Sequence, residues 1–175
     1  MSKILRELLS VYWLRPETAL WRSIDIETMK AFKVRGKSLD LGCGDGVLSF
    51  IRAGGKFDSS FDDYQFVGNL DMFYENADVH DVFAETYRPA IASDPSYKFT
   101  YALDHKENLL KKAEKLNFYD NFIQHDANKA LPFEDGIFDS VFSNIIYWLD
   151  DPQRSISEVS RILAGGGAGC FNVAQ

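Results

Sequence analysis

The chain has few cationic side chains, few cysteines and no long hydrophobic run. Its 175 residues include 19 lysines and arginines against 26 aspartates and glutamates, which gives a formal net charge of −7. Nucleic-acid binding depends on cationic side chains that neutralise phosphates, so this balance argues against DNA or RNA as a partner. No apolar run approaches the roughly 18 residues of a membrane-spanning helix, so no membrane partner is expected.

A secretory signal is also missing from the first residues. Residues 1–9 mix charged with apolar side chains and lack the apolar segment and the cleavage site of a signal peptide. We therefore expect a cytoplasmic protein. Because 46% of its residues are hydrophobic, a chain of this length can bury a sizeable core. We predict one domain over residues 1–175, which opens with a helical segment at 1–35.

Three glycines at alternate positions follow a short apolar run. Residues 38–41 lead into Gly42, Gly44 and Gly46, and the apolar segment 47–51 follows directly. This order predicts a buried strand, a tight turn and a helix. Glycine permits a positive φ and lets a ligand lie against the backbone, so the turn predicts a cofactor site. A tight turn that binds no ligand is the alternative.

The spacing of these glycines narrows the kind of cofactor. A dinucleotide site has the pattern G-x-G-x-x-G, whereas the third glycine here comes one residue earlier. A phosphate-binding loop would continue with Lys and Ser or Thr, but Val47 follows Gly46. Asp40 and Asp45 make the turn acidic. An acidic turn favours a cationic ligand over an anionic one.

Strand and helix signals alternate along the chain. We predict a helix over 17–33, strands over 37–41, 99–103, 121–124, 138–146 and 168–173, and a last helix that begins at Asp151-Pro152 and ends at the glycines 165–167. This alternation predicts an α/β fold, with a doubly wound, mostly parallel, Rossmann-like sheet and helices on both faces. Ligands of such folds bind at the carboxyl ends of the strands.

The glycine turn resembles the first motif of the class I S-adenosylmethionine-dependent methyltransferases, whose cofactor carries a sulfonium and an ammonium. Residues 131–144, 148–152 and 161–167 are similar to later motifs of small-molecule methyltransferases of this class, and the resemblance extends over about 36–173. It implies S-adenosyl-L-methionine as the cofactor. It also implies that the C-terminal strand pair of the family is apparently absent. The fifth strand would then be an open edge, which a second copy could cover in a homodimer.

The residues predicted to bind the cofactor lie at the ends of the strands: Asp40, Gly42, Cys43, Gly44, Asp45, Gly46, Asp104, His105, Asp126, Ala127, Ser143 and Asn144. By the resemblance, Asp40 and the glycine turn contact the methionine portion, and the backbone near Ser143 and Asn144 closes the site around the sulfonium. The Asp104 carboxylate can accept both hydroxyls of a ribose, and Asp126 with the Ala127 amide can meet an adenine. A helix N-cap for Asp104 and an ordinary turn for Asp126 are the alternatives.

The sequence assigns no catalytic base and no metal site. His105 and His125 stand near the predicted site, but histidines in loops are more often packed or exposed than catalytic. The acidic residues and the histidine at 75–81 match no spacing of a metal site, and a solvated surface is the favoured interpretation. Arg15 or Arg22 could meet an acidic substrate, or both could be solvated. Cys43 and Cys170 are expected to be free thiols, since the family's sheet order places another strand between them.

Residues 54–97 are an insertion. A first βαβ unit places its ribose acid about 20 residues past the last glycine, whereas Asp104 lies much further on. The segment is rich in aromatic residues, so it is not a disordered linker. It is predicted to be a lid or to form the substrate pocket, and a structural flap packed on the sheet is the alternative.

The sequence therefore predicts a methyltransferase that uses S-adenosyl-L-methionine and acts on a small-molecule acceptor. A protein that binds the same cofactor without turnover, inactive or truncated, is the first alternative. An NAD-dependent oxidoreductase is a weaker one, because the glycine spacing and the acidic turn disagree with it. The sequence does not identify the acceptor or the atom that is methylated.

Overall fold

The computed structural model describes residues 1–64 and 81–172. Its helices are α1 (Lys3–Val11), α2 (Pro16–Thr28), α3 (Val47–Arg52), α4 (Glu107–Glu114) and α5 (Pro152–Ile162), with a 3-10 turn at Ile146–Trp148. Its strands are β1 (Ser38–Leu41), β2 (Lys56–Phe57), β3 (Ile91–Ser93), β4 (Phe99–Asp104), β5 (Tyr119–Gln124), β6 (Phe138–Ser143) and β7 (Leu163–Phe171).

Five strands form one parallel sheet in the order β5-β4-β1-β6-β7. In this register Leu41 of β1 lies beside Leu103 of β4 and Ser143 of β6, so the carboxyl ends of the three central strands meet at one edge. Apolar cores cover both faces, one centred on Phe50 and Phe99 and the other on helix α5. The doubly wound, mostly parallel α/β fold is thereby confirmed.

The structure corrects the predicted start of the last strand. Sequence reasoning placed a glycine turn at 165–167 before a strand over 168–173, but β7 begins at Leu163, directly after α5. The pairing of β6 with β7 shifts between Phe138 and Ser140, and Gly166 has a φ of +82°. The glycines therefore form an irregularity inside a strand, because a residue without a Cβ can take this conformation beside the neighbouring strand. The homodimer through the outer edge of β7 stays a prediction.

Other boundaries also differ from the predicted ones, since β5 begins at Tyr119 rather than at residue 121. Helix α2 starts at Pro16, as the proline indicated, but ends at Thr28 rather than at residue 33. The Arg52 guanidinium donates to the carbonyl oxygens of Met29 (3.4 Å) and Phe32 (2.7 Å), so it satisfies backbone acceptors just past the end of the helix. Strand β6 ends at Ser143, not at residue 146, because the chain turns into the 3-10 turn there.

The described part of the insertion packs against the rest of the domain. Strands β2 and β3 pair with each other in antiparallel fashion, and the rings of Phe57, Phe61, Tyr64 and Tyr87 are buried in the core that covers one face of the sheet. This is the structural flap that sequence analysis held as its alternative. The lid stays a prediction, and Glu75, Asp78 and His80 lie outside the described residues.

A buried ion pair joins the insertion to helix α4. Lys112 Nζ lies 3.5 Å from Asp63 Oδ1, and the side chains are 1% and 0% exposed. The Tyr87 hydroxyl donates to the same carboxylate oxygen (3.1 Å), and the ammonium lies 5.4 Å from the centre of the Tyr87 ring. A buried charge is tolerated when it is paired in this way.

The two cysteines are free, and β6 separates the strand of Cys170 from β1, which precedes Cys43. Both cysteines are therefore free thiols, as sequence analysis expected. Across residues 1–64 and 81–172, no helix combines the length and the apolar character needed to cross a bilayer.

Candidate functional site

The glycine turn connects β1 to α3 and takes a left-handed backbone conformation at each glycine. The φ angles of Gly42, Gly44 and Gly46 are +76°, +58° and +79°. A Cβ on Gly42 would lie 2.3 Å from the Ile145 side chain, whereas a Cβ on Gly44 would meet nothing within 4 Å. Gly42 is therefore needed for packing, and Gly44 presents bare backbone to open space, where a ligand can approach.

Asp104 ends β4 and fixes the glycine turn. Its Oδ2 accepts from the Gly44 amide (2.9 Å), and its Oδ1 accepts from the Lys106 amide (2.9 Å). A carboxylate has about four acceptor positions, so capacity remains for further donors. Helix α4 begins at Glu107 and Lys106 is its N-cap residue, so the helix-cap alternative for Asp104 is wrong.

Asp40 of β1 is a buried carboxyl. It is 2% exposed, and its Oδ2 accepts from the Tyr119 hydroxyl (2.7 Å) beneath the glycine turn. Burial raises the pKa of the Asp40 carboxyl to about 6, opposed by hydrogen bonds from Ser49 and Tyr119. Because β1 alternates its side chains and Leu39 and Leu41 pack on the opposite core, Asp40 supports the turn from below. It lines neither of the two cavities described next, and its direct contact with the cofactor stays a prediction.

A cavity of about 580 Å³ opens beside the ends of β4 and β5. Of the predicted residues, Gly42, Asp104, His105, Asp126 and Ala127 line it. The volume is within the range of sites that bind small molecules and cofactors.

A smaller cavity of about 220 Å³ adjoins the first beneath the N-terminal helices. Gly42, Asp104 and His105 line both cavities, so they form a common wall. The predicted residues that line only the smaller cavity are Cys43, Gly44, Asp45 and Asn144.

Two further predicted residues, Gly46 and Ser143, line neither cavity. Ser143 is fully buried, because it pairs with Leu41 in the centre of the sheet. A Cβ on Gly46 would lie 2.9 Å from the side chains of Leu116 and Tyr119, so this glycine faces the core. Both residues support the site through packing.

The Asp126 side chain takes part in a turn and also faces the larger cavity. Its Oδ1 accepts from the Asn128 amide (2.9 Å), which is the turn that sequence analysis gave as the alternative. This hydrogen bond lowers the pKa of the Asp126 carboxyl, so the group is a carboxylate at neutral pH. Its unused lone pairs remain available to a donor in the cavity.

Neither thiol chemistry nor a tyrosinate is favoured in the smaller cavity. Burial and the nearby Asp40 carboxylate raise the pKa of the Cys43 thiol well above its ordinary value. Tyr12, which lines the same cavity, also has a strongly raised pKa, chiefly because of burial. Both groups are therefore protonated at neutral pH, and Cys43 is not a nucleophile.

Trp148, which sequence reasoning considered together with Tyr147 as a lining of the acceptor pocket, does line the larger cavity. Sequence reasoning missed several other residues of the cavity walls: Tyr12, Thr18, Leu48, Lys106, Leu109, Asn128, Ile145 and Leu149. Lys106 and Ile145 directly follow predicted site residues at the ends of β4 and β6, so the strand ends signalled them. Tyr12 directly follows α1 and Thr18 belongs to α2. The family resemblance indicated that the N-terminal helices cover the site, but no local pattern identified these two residues.

The comparisons with known proteins agree with this fold. Residues 89–171 match a family model described as a methyltransferase domain. A search of curated proteins gives no significant match. The chain has the fold of the class I S-adenosylmethionine-dependent methyltransferases, and its residues 89–171 are similar to a methyltransferase domain, which confirms the resemblance that the sequence motifs indicated.

Three solved structures show this fold at low sequence identity. An S-adenosylmethionine-dependent methyltransferase from Thermotoga maritima aligns with 95% of this chain and 60% of its own, at 17% identity and a TM-score of 0.51. A protein of Methanococcus maripaludis assigned to the same class aligns with 89% and 56%, at 18% identity and a TM-score of 0.53. The cyclase SpnF aligns with 89% and 45%, at 16% identity and a TM-score of 0.51. The chain thus spans about half the length of these structures.

Proposed function

We propose that the chain binds S-adenosyl-L-methionine in the two adjoining cavities and transfers its methyl group to a small-molecule acceptor. The observation that carries the proposal is the hydrogen bond from the Gly44 amide to Asp104 (2.9 Å). It joins the glycine turn to an acidic residue that lines both cavities, so one ligand can contact both.

The residues present fit this cofactor. Asp45 and Asp104 place negative charge on the wall of the smaller cavity, which suits a ligand with a sulfonium and an ammonium. The open space at Gly44 lets a ligand lie against the backbone. In the larger cavity, Asp126 and Ala127 would hold an adenine, and the apolar side chains of Leu103 and Leu149 would pack against it. The remaining acceptor positions of Asp104 would hold the ribose hydroxyls.

The chain's own residues would align the reactants and exclude water. The cofactor supplies a methyl group that is already activated by its sulfonium, so orientation of the acceptor is the main requirement. The Ile145 side chain packs against Gly42 where the two cavities meet, and Asn144 closes the wall of the smaller one. Cys43 and Tyr12 stay protonated, so neither can act as a base toward the acceptor. The site therefore suits an acceptor whose attacking atom carries no proton to be removed, or one that His105 deprotonates.

The acceptor is proposed to be small because it would share the two cavities, of about 580 and 220 Å³, with the cofactor. A nucleic-acid acceptor is disfavoured by the formal net charge of −7. Binding of the cofactor without turnover is the second candidate. It is favoured by one observation, namely that a cyclase has the same fold, so the fold alone does not fix methyl transfer.

Calorimetry with S-adenosylhomocysteine and NADH tests the cofactor. We expect S-adenosylhomocysteine to bind the parent chain and NADH not to bind. Asp104→Ala should weaken the binding, whereas Asp120→Ala, which removes an exposed carboxylate from β5, should not. Binding of NADH alone would overturn the proposal.

Methyl transfer needs a separate measurement. Incubating the chain with methyl-labelled cofactor and fractions of a small-molecule extract should label a compound, and the same fractions without the chain should stay unlabelled. Tight binding with no labelled product in any fraction would favour the second candidate.

A further inference from the structure

Arg22 lines the smaller cavity together with the acidic glycine turn. Arg22 belongs to α2, and its side chain is 28% exposed. Besides Arg22, the described residues of this wall include one lysine, Lys106, whose Nζ is held by both oxygens of Asp81 at 2.9 and 2.7 Å. Of these two cationic side chains, Arg22 therefore has the greater capacity to bind a ligand.

Two buried polar side chains hold Arg22 in place. Asp25 is 5% exposed, and its Oδ2 lies 3.6 Å from the Arg22 Nη1. Asn144 is 3% exposed, and with its amide oxygen turned toward Arg22 it accepts from the guanidinium and donates to Asp25 Oδ2 (3.3 Å). Asn172 donates to the other oxygen of Asp25 (2.8 Å). The guanidinium is thus positioned from its buried side.

This arrangement leaves donors of the guanidinium free for a ligand. A guanidinium has five N–H donors, and the two contacts with Asp25 and Asn144 use only some of them. Positioned guanidinium groups recognise carboxylates and phosphates through paired hydrogen bonds. Here Asp45, Asp81 and Asp104 line the same small cavity. They would repel a doubly charged phosphate more strongly than a singly charged carboxylate.

We propose that Arg22 is the group that recognises a carboxylate ligand in the smaller cavity. The proposal rests on the proposed function for the identity of that ligand. The carboxylate belongs either to the amino-acid portion of the methyl donor or to the acceptor, and both would present the same chemistry to Arg22. In either case Arg22 determines specificity, and the buried Asp25 and Asn144 are its positioning residues.

Two nucleoside ligands distinguish the sources of the carboxylate. S-adenosylhomocysteine carries the carboxylate, whereas 5′-methylthioadenosine has the same nucleoside and thioether without the amino-acid portion. If Arg22 binds the donor, Arg22→Gln should lower the affinity for S-adenosylhomocysteine about 10- to 100-fold in calorimetry and leave the affinity for 5′-methylthioadenosine unchanged. Arg22→Lys should give an intermediate loss, because lysine keeps the charge but not the planar fork.

If the carboxylate belongs to the acceptor, the affinity for S-adenosylhomocysteine should not change in Arg22→Gln. Sodium benzoate and sodium glutarate, titrated into the complex of the parent chain with S-adenosylhomocysteine, should then bind, and at least one should lose about 10-fold or more in Arg22→Gln. Equal affinities of the parent chain and Arg22→Gln for every one of these probes would overturn the proposal.

Control variants separate these results from unfolding and from net charge. Lys30→Gln makes the same change in net charge just beyond α2, at a lysine whose side chain is 73% exposed, and should behave as the parent chain does. If Arg22→Gln is unstable, Arg22→Gln combined with Asp25→Asn removes both charges and serves in its place. If the parent chain binds neither nucleoside, the proposed function fails, and titration of the two carboxylates into the free chain still decides the role of Arg22.

Discussion

Lys112 and Asp63 form an ion pair inside the protein, and substitution of either residue tests how the insertion is held. The two charges lie 3.5 Å apart, with side chains that are 1% and 0% exposed. At an effective dielectric constant of about 20, two unit charges at this distance attract each other by about 5 kcal/mol. Desolvation of both groups offsets much of this attraction, so the net stabilisation by the pair is smaller.

Removing one partner has a larger effect than removing both. Asp63→Asn leaves the Lys112 ammonium buried beside a neutral amide, and Lys112→Met removes the cation from beside the Asp63 carboxylate. We expect each single substitution to lower the free energy of unfolding by about 3 to 5 kcal/mol. The double variant buries neither charge, and the amide oxygen that Asp63→Asn introduces can still accept from the Tyr87 hydroxyl, so its loss should be smaller than that of either single variant.

Urea unfolding followed by circular dichroism measures these differences. The matched control is Lys111→Met, which removes the neighbouring lysine of α4 and its exposed pair with Glu107, and which should leave the unfolding midpoint nearly unchanged. Losses that simply add in the double variant would refute the coupling. A single Lys112→Met loss no larger than that of the control would refute the burial argument as a whole.

Four further substitutions test the site and its support. Asp104→Ala should weaken the binding of S-adenosylhomocysteine by about 1 to 3 kcal/mol in calorimetry, because hydrogen bonds to a charged group are of this size. Gly42→Ala should lower the free energy of unfolding in urea by about 2 to 4 kcal/mol, since it combines a φ of +76° with overpacking. Because burial raises the pKa of Asp40 from 3.8 to about 6, its carboxyl contributes stability that is fully present below about pH 4 and is lost as the pH rises through about 6. Asp40→Asn should therefore gain about 1 to 2 kcal/mol relative to the parent chain between about pH 5 and pH 8 in urea unfolding. Asp81→Asn removes the ion pair with Lys106 at the cavity wall and should lower the affinity for S-adenosylhomocysteine a few-fold in calorimetry.

Each of these substitutions has its own control or contrary result. Asp104→Asn keeps one acceptor oxygen and should lose less affinity than Asp104→Ala, and equal affinities of all three chains would contradict the ribose contact. Gly54→Ala changes a glycine with a φ of +91° where a Cβ meets nothing within 4 Å, so it should cost less than Gly42→Ala. A stability difference for Asp40→Asn that does not change with pH would contradict the raised pKa. Unchanged affinity in Asp81→Asn would show that this contact does not support the site.

The sheet and the glycine turn could be predicted because short-range patterns determine them. The spacing of Gly42, Gly44 and Gly46 predicted a turn with positive φ angles, and each of the three glycines has a positive φ in the structure. The strand end at Asp104 followed from an apolar run that stops at a carboxylate, and Asp104 does line both cavities. Local sequence is informative here because a parallel strand is buried on both faces and its end is marked by polar residues.

Contacts between distant segments could not be predicted in the same way. The period of two along β1 places Asp40 on the other face of the sheet from Leu39 and Leu41. Only the packing of Tyr119, 79 positions away, shows that the Asp40 carboxylate accepts a hydrogen bond beneath the turn. Likewise, Tyr12 lines the smaller cavity directly after α1, a helix whose amphipathic pattern indicates only that one face is buried. Periodicity identifies a buried face without identifying what covers it.

The insertion makes at least two structural contacts that do not depend on its predicted role as a lid. Asp63 compensates the buried Lys112 in α4, and Asp81 holds Lys106 at the wall of both cavities. Deletion of residues 54–97 would remove both contacts together with the buried rings of Phe57 and Tyr87. Loss of activity after such a deletion would therefore follow from unfolding, whether or not the segment also closes over the acceptor. Because Asp81 is partly exposed and Asp63 is fully buried, substitution of Asp81 perturbs the cavity wall while the ion pair in the core stays intact. Function and stability of the insertion can thus be separated at single residues, though not by removing the segment.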